Sequence, residues 1–208
     1  MKLYLSSYRA PVASELFALL PKPPEQCKLA IIPNAKDAKL PEERALKLDE
    51  LTLDLNNLGL ASDIVDLRDY DDGQSLFEAL KTYDGVWVAG GNTFVLRSEM
   101  QRSGFSEIIK QLLGTGFVYC GESAGAIVAG TSLVGAEIAD EPELAETRID
   151  TGLDLVAKIF VPHADSSDFV EYVNSMKKLY TDDPNVVYLG DKQAYVVSDN
   201  YQKIVSAS

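Results

Sequence analysis

Phe117-Val118-Tyr119-Cys120-Gly121-Glu122-Ser123-Ala124-Gly125-Ala126 is the stretch on which the fold turns. It fits Gly-x-Ser-x-Gly between an apolar run, Gly116–Cys120, that reads as a strand and a run, Ser123–Ala129, that opens a helix. A strand-to-helix turn this sharp forces its central residue into a strained backbone, and the flanking glycines give clearance. The turn projects the Ser123 hydroxyl from the carboxyl edge of a sheet. The helix start leaves the amide of Ala124 unpaired, aimed where negative charge would develop. Taken alone, the pattern also suits a glycine-cushioned turn that only packs helix on strand. The strand before it and the helix after it favour a nucleophile.

Outward from this turn, strand and helix periods alternate. Strands are expected at Lys2–Ser6, Lys28–Pro33, Asp63–Leu67 and Gly85–Ala89. Between them lie helices at Val12–Leu20, Pro41–Leu58 and Ser75–Thr82, with one or two more over Asn92–Leu113, broken near Gly104. Leucines at 48, 51, 55 and 58 mark one helical face. This alternation implies right-handed crossovers, hence an α/β fold with a mostly parallel sheet and helices on both faces.

After residue 130 the rhythm changes. Glu137–Asp154 holds seven acids and one base, with Pro142 inside, and reads as a solvated loop. Ile159–Pro162 is a strand, and Asp168–Tyr180 an amphipathic helix with Phe169, Val173, Met176 and Tyr180 inward. Three short strands follow at Val186–Leu189, Ala194–Ser198 and Tyr201–Val205, the last two joined as a hairpin at Asp199-Asn200. With no repeat, linker or low-complexity tract, residues 1–208 read as one domain.

Composition narrows the function. The chain carries a formal charge of −13, from 19 Lys and Arg against 32 Asp and Glu, which disfavours nucleic acid and anionic membrane as partners. One histidine and two cysteines cannot assemble the usual zinc sets, and no carboxylate loop of the Asp-x-Asp-x-Asp-Gly kind is present, so no metal is expected. No apolar window is long enough for a membrane span, and the N-terminus does not resemble a signal peptide. Cys27 and Cys120 head apolar runs and read as free, buried thiols in a cytoplasmic protein.

A serine nucleophile needs a base, and the sole imidazole is His163, just past the strand Phe160-Val161-Pro162. Both Ser123 and His163 are thus expected at the carboxyl edge of one sheet, where open parallel sheets bind ligands. The orienting acid is open among Glu137, Asp140, Glu141 and Asp165, the last of which could equally cap the next helix. Paired glycines in Val88-Ala89-Gly90-Gly91-Asn92-Thr93-Phe94 allow close backbone approach. Gly90 or Gly91 could supply a second oxyanion amide, Asn92 is expected among the substrate-binding residues, and Asn92 or Thr93 could cap the following helix.

With Gly90-Gly91-Asn92-Thr93-Phe94, Gly121-Glu122-Ser123-Ala124-Gly125-Ala126 and Pro162-His163 in this order, the chain resembles the dipeptidase E (aspartyl dipeptidase) family of serine peptidases, related to cyanophycinase. The resemblance implies a three-layer, flavodoxin-like fold of the class I glutamine amidotransferase type, with serine in place of cysteine. It implies a cytoplasmic hydrolase without a cofactor, acting on a small peptide, with a homodimer as one option. It assigns Ser123 as nucleophile, His163 as base, Gly91 and Ala124 as oxyanion amides, and Asp140 as the third member, with Glu141 as alternative. One departure stands out. The family reads an N-terminal Asp through an arginine shortly after the histidine, and Ala164–Tyr180 holds only Lys177 and Lys178. A bidentate carboxylate clamp is absent there, so Asp-X specificity is in doubt. Arg97 and Arg102 are the candidate substitutes, both expected on a helix surface.

The expected activity is a serine peptidase of the dipeptidase kind working through an acyl-enzyme. Two alternatives stand beside it: a binding or regulatory protein that keeps the fold without catalysis, and an esterase or amidase. Only 39 residues separate Ser123 from His163, too few for the elements an α/β-hydrolase inserts there. A cysteine glutaminase is disfavoured because Cys120 lies three residues before the turn.

Overall fold

The computed structural model describes residues 1–207. Seven strands form the main sheet: β1 (Lys2–Ser6), β2 (Lys28–Ile32), β3 (Ala61–Ile64), β4 (Gly85–Val88), β5 (Val118–Glu122), β8 (Gln193–Val197) and β9 (Gln202–Ser206). Their order is β3-β2-β4-β5-β1-β8-β9. The first five are parallel, and β8 and β9 add an antiparallel hairpin beside β1. The remaining strands, β6 (Ile159–Val161) and β7 (Val186–Tyr188), pair in parallel as a separate small sheet.

Side chains alternate along each central strand, and that period of two builds the layers. Leu3, Leu5, Ala30, Ile32, Val86, Val88 and Tyr119 face one side. They pack there against α3 (Gly73–Leu80), α4 (Thr93–Arg102), α5 (Phe105–Leu113) and α6 (Ala124–Ala129). Tyr4, Leu29, Ile31, Trp87, Val118 and Cys120 face the other, beneath α1 (Ala13–Leu19) and α2 (Pro41–Asn57). The result is a three-layer α/β fold. Strands buried on both faces explain why their sequences run apolar without alternation. The helix α7 (Val170–Leu179) instead packs Tyr172, Val173 and Met176 on Ile159 and Val161, a third and smaller core.

Most element ends lie a residue or two from the sequence reading, and three differences have a structural reason. The strand expected at Asp63–Leu67 lies at Ala61–Ile64, in register with β2 from Lys28 to Ile31. Val65 and Leu67, which suggested the longer strand, are buried through a turn instead, where Asp66 accepts from the Arg68 amide and Asn34 Oδ1 from that of Leu67. β5 runs two residues later than expected, because pairing with β1 continues to Ser6 opposite Glu122. Third, Ile159–Val161 does not join the main sheet, as the shared-edge argument supposed. Both cysteines are free and buried. Among the described residues, no helix is long and apolar enough to cross a membrane, and no cluster of three His, Cys, Asp or Glu could hold a metal ion.

Candidate active site

Ser123 stands between β5 and α6 with φ 50° and ψ −112°, outside the regions an L-residue ordinarily occupies. The strain is held in place from several sides. The Ser123 amide donates to Ser6 O on the neighbouring strand (3.0 Å), and the carbonyl accepts from Ala126 and Ile127. Helix α6 sits so close to the sheet that a Cβ on Gly125 would lie 2.3 Å from Val88 O. The glycine two residues after the serine is therefore fixed by helix–strand contact as much as by the turn. The Ala124 N–H, first of the helix, has no hydrogen-bond partner among the described residues.

His163 reaches this serine from the small sheet. Its Nε2 lies 3.0 Å from Ser123 Oγ. The residue leaves β6 in a left-handed conformation, φ 59°, with its ring stacked on Phe169 at 4.5 Å between centroids. On the far side of the ring, Nδ1 lies 2.6 Å from Asp191 Oδ1. That distance suits a charge-assisted bond, and it fixes the tautomer that leaves Nε2 free to accept from serine. Asp191 follows β7, the parallel partner of β6. Bonds from Leu189 N to Val161 O and from Ala164 N to Leu189 O, each 2.9 Å, deliver acid and base side by side.

This corrects the sequence reading of the acid. Asp140 does not meet His163; its Oδ2 accepts from the Thr93 amide at 2.9 Å, at the first turn of α4. Burial there raises its pKa above the usual carboxylate value, against the lowering pull of Thr93. Glu141 is exposed and offers its backbone carbonyl to Asn92 Nδ2 (2.9 Å). Glu137 binds the Gly135 amide with its own carboxylate. Asp165 bonds the Asp191 amide (2.8 Å), so it braces the acid rather than capping the next helix.

The supporting residue that sequence did not suggest is Ser7, just after β1. Its Oγ accepts from the His163 amide at 2.7 Å and donates to Asp191 Oδ1 at 2.8 Å. One fully buried hydroxyl thus ties the end of the main sheet to both base and acid.

The glycine pair divides its roles. The Gly90 N–H is taken by Glu122 Oε1 (3.3 Å), so Gly90 does not supply the oxyanion amide. The Gly91 N–H has no partner among the described residues, and Gly91 lines both recesses that Ser123 lines. Asn92 caps α4, its Oδ1 accepting from Phe94 and Val95 at 3.0 Å each, so both ends of its amide serve the backbone rather than a substrate. Arg97, expected on a surface, is buried, with Nε on Thr151 O (2.9 Å). Arg102 bonds Leu67 O and Glu99.

Ser123 and His163 line two adjoining recesses. The larger, about 510 Å³, is walled by Ile127, Asp140, Glu141, Phe169 and Tyr172. The smaller, about 230 Å³, carries Arg9, Lys36, Lys39 and Lys47. No arginine lines the larger recess.

The sequence profile of the peptidase S51 family matches residues 4–205. The chain belongs to peptidase family S51. Among curated relatives, an uncharacterised peptidase of Listeria monocytogenes is 30% identical over 148 residues, 70% of this chain and 67% of that one. An uncharacterised peptidase of Listeria innocua is 31% identical over 122 residues, and this match spans 58% of each chain. A peptidase E of Shewanella is 36% identical over 76 residues, 36% of this chain and 32% of its own. The fold is shared with a solved structure from Listeria monocytogenes, provisionally assigned as a peptidase E, at TM-score 0.86, covering 100% of this chain and 98% of that one at 22% identity. The matched span includes Ser123, His163 and Asp191.

Proposed function

We propose that this family S51 chain is a serine peptidase that hydrolyses small peptides through an acyl-enzyme. The observation that carries the reading is the Ser123–His163–Asp191 chain of contacts, 3.0 and 2.6 Å, built on a strained turn. Ser123 Oγ attacks the scissile carbonyl carbon while His163 Nε2 takes its proton. The amides of Gly91 and Ala124 hold the oxygen as it becomes negative. His163 then passes the proton to the leaving amine nitrogen, the C–N bond breaks, and the acyl group stays on Ser123. Water repeats the sequence: it loses a proton to His163, attacks the ester, and Ser123 leaves with that proton. Asp191 keeps the imidazole in the required tautomer and offsets the charge it gains.

The recesses orient the substrate. Asp140 and Glu141 wall the larger one and suit the end of a peptide bearing its ammonium; Lys39, which lines both recesses, and Lys47 in the smaller suit the end bearing its carboxylate, while the Lys36 ammonium is spent on Gly90 O. An acidic N-terminal residue would meet two carboxylates, with Lys39 as the one cation and no guanidinium among the described lining residues, so Asp-X dipeptides are expected to be poor substrates.

The test pairs a screen of free dipeptides and tripeptides with labelling by a fluorophosphonate. Wild type should hydrolyse members of the panel and take up one phosphonyl group at Ser123. Ser123→Ala should fold normally, take up none, and lose about 10⁴–10⁶ in kcat. An unlabelled wild type that cleaves nothing would favour the non-catalytic reading. Ester cleavage without any peptide cleavage would favour the esterase.

A further inference from the structure

Lys36 is buried, 7% exposed, and no carboxylate lies against its ammonium; its one hydrogen bond is to Gly90 O, at 2.8 Å. A buried ammonium spent on a backbone carbonyl is costly, so the carbonyl it holds is informative. Gly90 O belongs to the peptide group whose other polar atom is the Gly91 N–H. In a trans peptide these two bonds point in opposite directions. Drawing the oxygen toward Lys36 therefore turns the Gly91 N–H away from Lys36, and the recess that Gly91 and Ser123 line without Lys36 is the larger one.

This peptide is also the one most in need of restraint. Glycine on both sides removes the Cβ atoms that would otherwise bias its rotation, and Gly91 sits at φ 146°, where other residues are strained. A Cβ on Gly91 would lie 2.2 Å from Ala35 O, so no bulkier residue can replace it to stiffen the turn. Restraint must come from outside. The turn Asn34–Lys36 supplies it: Ala35 O accepts from Asn92 N at 2.7 Å, and Lys36 takes Gly90 O. On the other side, Glu122 accepts from Gly90 N, and Arg9 Nη1 holds Glu122 at 3.0 Å.

We infer that Lys36 is a positioning residue for the oxyanion site, locking the Gly90–Gly91 peptide so that the Gly91 amide faces the developing negative oxygen. The ammonium has a second effect. Accepting a charge-assisted bond at Gly90 O polarises the whole peptide group and strengthens Gly91 N–H as a donor. Lys36 touches no reacting atom. Desolvation lowers its pKa, and the nearby Glu122 carboxylate works against that lowering.

The inference rests on the peptidase reading of Ser123, and the experiment separates the two. Lys36→Met keeps the length of the side chain and removes the donor; Lys36→Gln serves the same purpose should the methionine variant not fold. The readouts are kcat and KM for the dipeptide wild type cleaves fastest, inhibition by leucinal, and binding of Leu-Leu to each variant combined with Ser123→Ala. Loss of a positioned donor should cut kcat by about tenfold to hundredfold and weaken leucinal, which forms a tetrahedral adduct, to a similar degree. KM and Leu-Leu binding should stay within about threefold of wild type. Lys36→Arg, which retains a donor and charge, should recover part of the loss. Unchanged kcat and leucinal inhibition in the folded neutral variant would overturn the inference and leave the peptidase standing. Equal losses in Leu-Leu binding and in kcat would overturn it too, since they mark a general distortion of the site. A wild type inert to substrates and fluorophosphonate would overturn both.

Discussion

Ser123 and His163, the proposed nucleophile and base, come from two very different parts of the molecule. Ser123 and the Gly90-Gly91 turn sit on adjacent central strands, β5 and β4, whose side chains are buried on both faces. His163 and Asp191 follow β6 and β7, a two-stranded sheet whose core consists of a few residues under α7. The first half is held by pairing on either side and by helices above and below. The second is held by its own small core, the hydroxyl of Ser7 and the Phe169 ring. A strained backbone needs rigid surroundings, so the serine belongs on the central sheet. The imidazole has only to be oriented, and a light frame with two good hydrogen bonds suffices.

That contrast can be broken most directly at the acid. Asp191→Asn presents an N–H or oxygen where only an acceptor serves, and should lower kcat by about 10²–10⁴ with little change in melting temperature. Asp140→Asn should cost far less in kcat. A reversal of that order, measured on one substrate, would return the orienting role to Asp140. A stability experiment comes next. Met176→Ala opens a hole in the small core and should destabilise by about 2–5 kcal/mol. Hydrogen exchange should place the loss in β6, β7 and α7, with β4 and β5 protected as before. Uniform loss of protection would mean that the two halves open as one unit. Ser7→Ala removes the hydroxyl shared by His163 and Asp191, and about a tenfold fall in kcat is expected. No change would show that the small sheet orients its residues unaided.

The smallest effect concerns Asp140 itself. Burial raises its folded pKa above the ordinary 3.8, so the native chain binds this proton more tightly than the unfolded one. Stability linked to this group is present at acid pH, falls as pH rises from about the unfolded value through the raised folded one, and stays lost at neutrality. Asp140→Asn keeps an oxygen for the Thr93 amide without the charge. Its melting temperature at pH 7 should therefore equal or slightly exceed that of wild type, with the gap closing in acid. A lower melting temperature at pH 7 would assign the carboxylate a stabilising role at the start of α4.

The sequence made the strand-to-helix turn at Ser123 and the lone imidazole legible because each is a local pattern. It offered Asn92 both as a helix cap, which it is, and as a substrate-binding residue, although its amide is taken up by the backbone. Ser123 follows from two glycines and the runs beside them, and Asn92 from its place before an apolar helix. Asp191 gave no such signal. It stands 28 residues after His163, in the short connection Gly190–Lys192 between strands, while the acid-rich loop at 137–154 drew attention elsewhere. The available clue was its position at the carboxyl end of a strand, the same clue that pointed to His163. Using it required knowing that this strand lies beside β6. Ser7 was silent for a similar reason, since a serine after a strand is unremarkable until two other segments converge on it. Lys36 carried no signal in the sequence, and only the approach of the Gly90–Gly91 peptide gives it a buried partner.

Chain order and periodicity by themselves determined the α/β class, the parallel sheet, the strand-to-helix turn at Ser123 and the identity of the only imidazole. These depend on neighbours within a few residues, where backbone sterics and the period of side chains act. The partner of that imidazole, the amide left free at Gly91 and the charge at each end of the site were decided by the tertiary structure. Each depends on atoms from segments far apart in sequence, brought within about 3 Å by packing, and hydrogen bonds are selective only at that range.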